Sequence, residues 1–148
     1  MEGDYIQNTG SNNSNSILDK KKLLLVDDDL DFLEILKTKL ENEGFDVDTV
    51  SNGNECLQKI NQEKYNLIIL DVMMPEFDGI DVALEIIKNY PQRNFNFIFL
   101  TNLGEENPLL EKNIDEEYAK QIGAYAFISK GEDLDNIVLK IKKIISET

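Results

Sequence analysis

The fold of this chain is decided by residues 67–79, which read LIILDVMMPEFDG. Four consecutive apolar residues, Leu67 to Leu70, are typical of a β-strand that is buried on both faces. The run ends at Asp71, and Pro75 and Gly79 then prevent regular structure from continuing directly. A carboxylate that ends a buried strand carries its charge at a costly position. The rest of the chain must therefore supply partners for Asp71.

The remaining sequence repeats the same pattern of a short apolar strand followed by a helix. Apolar or alternating segments predict further strands at residues 21–26, 45–50, 95–100 and 126–128. Helical periodicity predicts helices from Leu30 to the stop at Gly44, around Cys56 to Ile60, from Ile80 to before Pro91, at 114–122 and at 134–146. The third helix has a broad apolar set, which predicts that it is well covered (Ile80, Val82, Ala83, Leu84, Ile86 and Ile87). Because no hairpin signal interrupts this alternation, we expect an α/β fold with a doubly wound, five-stranded parallel sheet and five helices.

Composition indicates a folded domain at residues 21–148 that follows a disordered leader at residues 1–20. The leader is rich in Ser and Asn and has too little apolar surface to offset the entropy of ordering it. The 148 residues contain no apolar run of membrane-spanning length and no signal peptide pattern. Cys56 is the single cysteine, which excludes an internal disulfide and fits a cytoplasmic location.

Charge and histidine content exclude several classes of function. The net charge of −14 argues against nucleic acid as a direct partner, since binding phosphates needs clustered Lys and Arg. The chain has no histidine, so histidine-dependent triads, histidine metal sites and a phosphohistidine intermediate within this chain are excluded. The chemistry must therefore rest on carboxylates, hydroxyls and lysines.

Polar residues follow four of the five predicted strands. Asp27 and Asp28 end the first strand, Asp71 the third, Thr101 the fourth and Lys130 the fifth. In a parallel sheet, these ends lie at one edge, where doubly wound folds bind their ligands. We therefore expect three carboxylates, a hydroxyl and an ammonium group to meet in one crevice.

This set of groups suits phosphoryl transfer. Clustered carboxylates without His or Cys favour Mg²⁺ or Mn²⁺, held by Asp28 and Asp71 with Asp27 nearby. The free oxygen of Asp71 can then act as a nucleophile toward phosphorus. Thr101 can donate a hydrogen bond to one phosphoryl oxygen and Lys130 can neutralise another. Asp29, by contrast, is expected to cap the next helix, and Asp78-Gly79 to form a turn.

The motifs together resemble the receiver domain of bacterial two-component response regulators. The resemblance rests on LLVDDD at residues 24–29, on DVMMPxxDG at 71–79, on Thr101, and on GAxxFxxK at 123–130. It covers about residues 22–145 and implies the flavodoxin-like strand order 2-1-3-4-5. It also implies that the module is no enzyme beyond catalysing its own phosphorylation and dephosphorylation.

The resemblance assigns a role to each site residue. Asp71 would be the phosphoacceptor, and Asp27, Asp28 and the Met73 carbonyl would complete the Mg²⁺ pocket. Lys130 would contact the phosphoryl group, while Thr101 and Phe127 would be the switch residues. The implied partners are a histidine kinase or histidine phosphotransfer protein and an unknown downstream target, with a monomer or a weak dimer through the fourth and fifth helices. Since nothing follows the fifth helix, a stand-alone receiver is expected.

Two departures from the family pattern lead to further expectations. The family usually follows its lysine with proline, whereas Gly131 follows Lys130 here. Because a cis bond without proline costs roughly 2.5–4 kcal/mol, we predict a trans Lys130–Gly131 bond. The segment between Thr101 and Lys130 is also longer than usual, with the excess placed at residues 103–112. This acidic loop is either a lid over Asp71 or, more simply, a surface insertion.

Two other functions compete with the phosphoacceptor. A phosphorylation-independent interaction module would explain the Lys130-Gly131 corner and the long loop. A metal-dependent phosphohydrolase is disfavoured, because such enzymes commonly place a second acid two residues after the nucleophile and Met73 stands there. The chain also lacks a cap domain to enclose a substrate.

Overall fold

The computed structural model describes residues 20–102 and 115–148 and contains one parallel sheet. Its elements in chain order are β1 (Lys22–Val26), α1 (Leu30–Asn42), β2 (Asp46–Val50), α2 (Gly53–Gln62), β3 (Leu67–Leu70), α3 (Gly79–Asn89), β4 (Asn96–Thr101), α4 (Glu116–Gln121), β5 (Ala126–Ser129) and α5 (Leu134–Glu147). The strand order is β2-β1-β3-β4-β5, which confirms the predicted fold and order.

Both faces of the sheet are covered, which explains why its strands have continuous apolar sequences. Leu23 and Leu25 point into a core formed with α1 and α5. Leu24 and Val26 point into a second core, formed with α2, α3 and α4. Because successive strand residues face opposite sides, the sequence shows an unbroken apolar run rather than an alternation.

The register of the central strands aligns their carboxyl ends. Val26 on β1 pairs with Leu70 on β3, so that Asp27 and Asp71 are the next residues on neighbouring strands. The Asp71 N–H donates to the Val26 carbonyl at 2.8 Å, and the Asp27 N–H to the Val50 carbonyl at 3.2 Å. Backbone pairing therefore continues to the two acids and fixes where their side chains begin.

Some sequence expectations need correction or lie outside the described residues. Leu84 was expected to be covered on α3 but is 51% exposed, because the buried face of α3 is narrower than its apolar set and is formed by Gly79, Val82, Ala83 and Ile86. The predicted helix at 134–146 is confirmed, and five of its apolar residues are buried (Ile137, Val138, Ile141, Ile144 and Ile145). Residues 1–19 of the predicted leader (1–20) and the loop at 103–112 lie outside the described residues, so both stay predictions. Within the described ranges, no helix combines the length and hydrophobicity needed to cross a membrane.

Gly79 allows the loop after Asp71 to fold back against the strand that it leaves. Its N–H donates to the Val72 carbonyl at 3.0 Å, and an added Cβ would lie 2.1 Å from the Asp71 carbonyl oxygen. Asp78 caps α3 in a capping box with Asp81, a role more specific than the turn expected from Asp78-Gly79. The loop is thus fixed at both of its ends.

We expect Gly79→Ala to lower the free energy of unfolding by about 1–3 kcal/mol, because the backbone around Asp71 must shift to admit the methyl group. Urea denaturation measures the change. Gly131→Ala is the matched control, since its added Cβ would meet one side-chain atom, the Ser129 Oγ at 3.2 Å, and no backbone atom. Equal denaturation midpoints for the two variants would contradict the close approach at Gly79.

Candidate functional site

The ends of β1 and β3 bring three carboxylates together at the carboxyl edge of the sheet. Oxygen atoms of Asp27, Asp28 and Asp71 all lie within 4.8 Å of one another. Asp27 is 3% and Asp71 4% exposed, whereas Asp28 is exposed to solvent. The cluster is therefore a half-open pocket with two buried acids and one accessible acid.

Lys130 supplies the positive charge of this pocket from the end of β5. Its Nζ lies 2.5 Å from Asp27 Oδ2 and 3.6 Å from Asp71 Oδ2, and its side chain is 12% exposed. The Lys130 N–H donates to the Thr101 carbonyl at 2.9 Å, which joins the ends of β4 and β5. Since none of the described peptide bonds is cis, the predicted trans Lys130–Gly131 bond is confirmed.

Thr101 and Met73 are neighbours of Asp71. The Thr101 side chain, 3% exposed, acts as a donor that lowers the pKa of Asp71, and the Met73 N–H approaches Asp71 Oδ1 at 3.4 Å. Phe127 is half-buried on β5, where its ring packs 6.3 Å from that of Phe99 on β4. The structure thus brings the predicted residues to one edge, and their individual roles stay predictions.

Burial and the neighbouring Asp27 charge raise the pKa of Asp71 from 3.8 to about 7. The Lys130 ammonium and the hydrogen bonds from Thr101 and Met73 act in the opposite direction but are outweighed. The Lys130 ammonium thus offsets only part of the electrostatic cost of ionising Asp71 beside the buried Asp27.

The donor set fits a hard divalent cation. Three carboxylates without His or Cys are the ligands that Mg²⁺ and Mn²⁺ prefer, and the exposed Asp28 leaves room for the water molecules that Mg²⁺ retains. A cation there would add the positive charge that Asp27 and Asp71 lack. The Lys130 ammonium, which lies against Asp27, would compete with it.

Sequence reasoning missed Phe32 as a neighbour of the site. The Lys130 Nζ lies 4.7 Å from the centroid of the Phe32 ring. As an apolar residue on a helix that covers the sheet, Phe32 is expected to pack only against the core. Its position in the first turn of α1, three residues after Asp29, places it at this edge of the sheet and was the available signal.

Comparison with known proteins identifies the family. Residues 23–142 match the family described as the response regulator receiver domain. The chain belongs to this family. It is 43% identical over 124 residues to the transcriptional regulatory protein CpxR homolog of Haemophilus influenzae, a match that covers 84% of this chain and 50% of the relative. It is 34% identical over 125 residues to the Bacillus subtilis alkaline phosphatase synthesis transcriptional regulatory protein PhoP, a match that covers 84% of this chain and 48% of PhoP.

Solved receiver structures agree with this assignment. A CheY-like receiver domain protein from Methanospirillum hungatei has a TM-score of 0.73 and 29% identity, covering 86% of this receiver and 95% of that chain. The response regulator TrrA from Thermotoga maritima, in complex with Mg²⁺ and BeF, has a TM-score of 0.67 and 33% identity. The match covers 84% of this chain and 98% of the TrrA chain. The chain spans about half the length of the curated relatives named above.

The raised pKa of Asp71 predicts a pH-dependent stability. Because the folded-state pKa of about 7 exceeds the unfolded value, the folded receiver keeps a proton that the unfolded chain loses near pH 4. Without divalent cations, this group makes the free energy of unfolding fall as the pH rises from about 4 to about 7 and then level off. Asp71→Asn abolishes this contribution.

The measurement is the urea midpoint of both proteins in EDTA across this pH range. The excess stability of Asp71→Asn over the wild type should grow between about pH 4 and 7 and then stay constant. A difference that does not vary with pH would contradict the raised pKa of Asp71.

Proposed function

We propose that this receiver accepts a phosphoryl group on Asp71 from a histidine kinase or a histidine phosphotransfer protein. The observation that carries the proposal is the surroundings of Asp71. It is a buried carboxylate at a strand end, within 4.8 Å of two further acids and 3.6 Å from the Lys130 ammonium. A carboxylate placed between a cation site and an ammonium group has both of the charges that phosphoryl transfer to it requires.

Asp27, Asp28, Asp71 and the Met73 carbonyl would hold Mg²⁺ or Mn²⁺. When bound, the cation would lower the electrostatic cost of bringing an anionic phosphoryl group to an anionic carboxylate. The TrrA neighbour, solved with Mg²⁺ and BeF, supports this choice of cofactor.

The transfer itself needs Asp71 in its ionised form. One Asp71 oxygen attacks phosphorus to form a P–O bond, while the P–N bond to the donor imidazole breaks and its electron pair remains on the imidazole nitrogen. Lys130 neutralises charge on one phosphoryl oxygen, and the Thr101 hydroxyl donates to another. The product is an acyl phosphate on Asp71.

The consequence of phosphorylation would be a change in partner binding. The Thr101 carbonyl accepts from the Lys130 N–H, so a phosphoryl group that attracts Thr101 and Lys130 pulls on the ends of both β4 and β5. Phe127 would change its packing against Phe99 as Thr101 moves. We propose that a protein target, or a second receiver in a weak dimer, binds the α4 and α5 side that this shift alters.

Two further points define the proposed role. The receiver would catalyse only its own phosphorylation and dephosphorylation and would work beside its kinase in the cytoplasm. The net charge of −14 disfavours direct contact with nucleic acid. Because the match covers only about half of each related transcriptional regulator, their output is not assigned to this chain, and the stand-alone architecture stays a prediction.

Acetyl phosphate provides a direct test with a small donor. In Mg²⁺ the wild type should gain one phosphoryl group, detected by intact-protein mass spectrometry, and EDTA should prevent the gain. Asp71→Asn should not be labelled, because an amide oxygen is a poor nucleophile and an amide a poor cation ligand.

Asp29→Asn is the matched control for this experiment. Asp29 neighbours the pocket but caps α1 by accepting from the Phe32 N–H, a role that an Asn side chain can also fill. It should be labelled like the wild type. Labelling of Asp71→Asn at the wild-type rate, or no labelling of a folded, cation-bound wild type, would refute the proposal and favour a phosphorylation-independent interaction module.

Lys130→Gln should separate cation binding from phosphoryl transfer. Removing the ammonium leaves the Asp27 and Asp71 charges without their internal partner, so Mg²⁺ affinity measured by calorimetry should rise about threefold or more. Labelling by acetyl phosphate should nevertheless slow about tenfold or more, because the phosphoryl oxygens lose a cation.

Lys140→Gln is the control for this pair of measurements, since Lys140 lies on α5 and its half-exposed ammonium pairs with Glu132, which precedes the helix. It should change neither Mg²⁺ affinity nor labelling rate. Weaker Mg²⁺ binding by Lys130→Gln would contradict the competition between the ammonium and the cation.

A further inference from the structure

We propose that Phe32 is a positioning residue for Lys130, and that the face of its ring holds the Lys130 ammonium at the phosphoryl site. The inference rests on the proposed function, because it concerns the lysine that stabilises the transferred group. It adds a residue from α1 to a site otherwise built from strand ends and the loop after β3.

The geometry is that of a cation–π contact. The Lys130 Nζ lies 4.7 Å from the ring centroid, inside the distance of about 6 Å at which a ring attracts an ammonium group. Because the Lys130 side chain is 12% exposed, water screens this attraction only weakly. The ring, Asp27 and Asp71 thus surround the same ammonium group.

Phe32 is itself held in place by two sets of contacts. The Phe32 backbone N–H donates to the Asp29 side chain at 3.1 Å, and the Asp29 N–H donates to Asp27 Oδ1 at 3.0 Å. The half-buried Phe32 side chain also packs against the core shared by α1 and α5. The position of the ring is therefore tied to that of Asp27, the other contact of the ammonium.

Lys130 needs such a guide because backbone contacts alone do not fix its ammonium group. The backbone forms a turn here, in which the Glu132 N–H donates to the Ser129 carbonyl at 3.3 Å and the Gly131 N–H to the Ser129 Oγ at 3.0 Å, but these bonds leave the side-chain torsions of Lys130 free. A lysine side chain has large rotational entropy, which has to be offset for its charge to stay at one point. An aromatic face reduces the freedom of the ammonium group without using a backbone constraint.

An aromatic ring has one property that the carboxylate contacts lack. Asp27 and Asp71 are also the groups expected to bind the divalent cation, so their attraction for Lys130 weakens when the cation is present. The Phe32 ring is neutral and competes for neither the cation nor the phosphoryl group. It can therefore hold the ammonium near the phosphoryl position in both states of the pocket.

The test combines substitution of the ring with removal of the lysine. Phe32→Leu should slow labelling by acetyl phosphate in Mg²⁺ about three- to tenfold, the loss expected for a partly desolvated cation–π contact. In the Lys130→Gln background, Phe32→Leu should cause no further slowing, because the group that the ring positions is absent. Additive slowing in the double variant would overturn the inference.

Two further measurements separate a positioning role from a packing role. Site-specific replacement of Phe32 by 3,5-difluorophenylalanine keeps the shape of the ring but weakens its negative face. The labelling rate of this variant should lie between the rates of the wild type and of Phe32→Leu. The side-chain methylene protons of Lys130 should show an upfield ring-current shift in the NMR spectrum that Phe32→Leu abolishes. Unchanged labelling with the fluorinated ring, or no ring-current shift, would contradict the contact.

Phe45→Leu is the stability control, since Phe45 is buried in the same core but lies beside β2, away from Lys130. It should lower the urea midpoint without slowing labelling. The labelling of the wild type distinguishes a failure of the proposed function from a failure of the Phe32 contact. A wild type that is not labelled removes the proposed function and this inference together, whereas a labelled wild type with an unaffected Phe32→Leu removes the inference alone.

Discussion

The structure depends on the burial of two carboxylates, Asp27 and Asp71, side by side on neighbouring strands. Their carboxylate oxygens lie within 4.8 Å of each other, so a negative charge on one raises the cost of ionising the other, and burial adds to that cost. One ammonium group, from Lys130, crosses the edge of the sheet above β4 and offsets part of it. The negative charge that Lys130 leaves unbalanced makes the pocket suitable for a divalent cation. With that cation bound, the pocket can also accept an anionic phosphoryl group on Asp71.

Much of this arrangement could be predicted from the sequence, because strands buried on both faces have simple signatures. Leu67 to Leu70 matches the observed β3 residue for residue, and each acid or lysine assigned to a strand end lies at the expected edge. The alternation of strands and helices requires parallel pairing, and parallel pairing places all strand ends together. The site was therefore readable from the order of residues along the chain.

What could not be predicted depends on distances across the fold. Phe32 and Lys130 are far apart in the sequence, and an aromatic residue on the apolar face of a helix is expected to be core. Gly79 looks like a turn residue in the sequence, whereas the close approach of its backbone to the Asp71 carbonyl exists only in the folded loop. Leu84 completes an apolar helical pattern yet faces solvent, because periodicity does not specify how wide the covered arc is. In each case the deciding fact is a neighbour from another element.

The most direct test of the central claim is to locate the modified residue chemically. After incubation of the wild type with acetyl phosphate and Mg²⁺, borohydride reduces an acyl phosphate of aspartate to homoserine, which peptide mass spectrometry can place in the sequence. We expect homoserine at position 71, in an amount that falls to background when EDTA replaces Mg²⁺. Homoserine at position 27 or 28, or at no position in a folded protein that binds Mg²⁺, would contradict it.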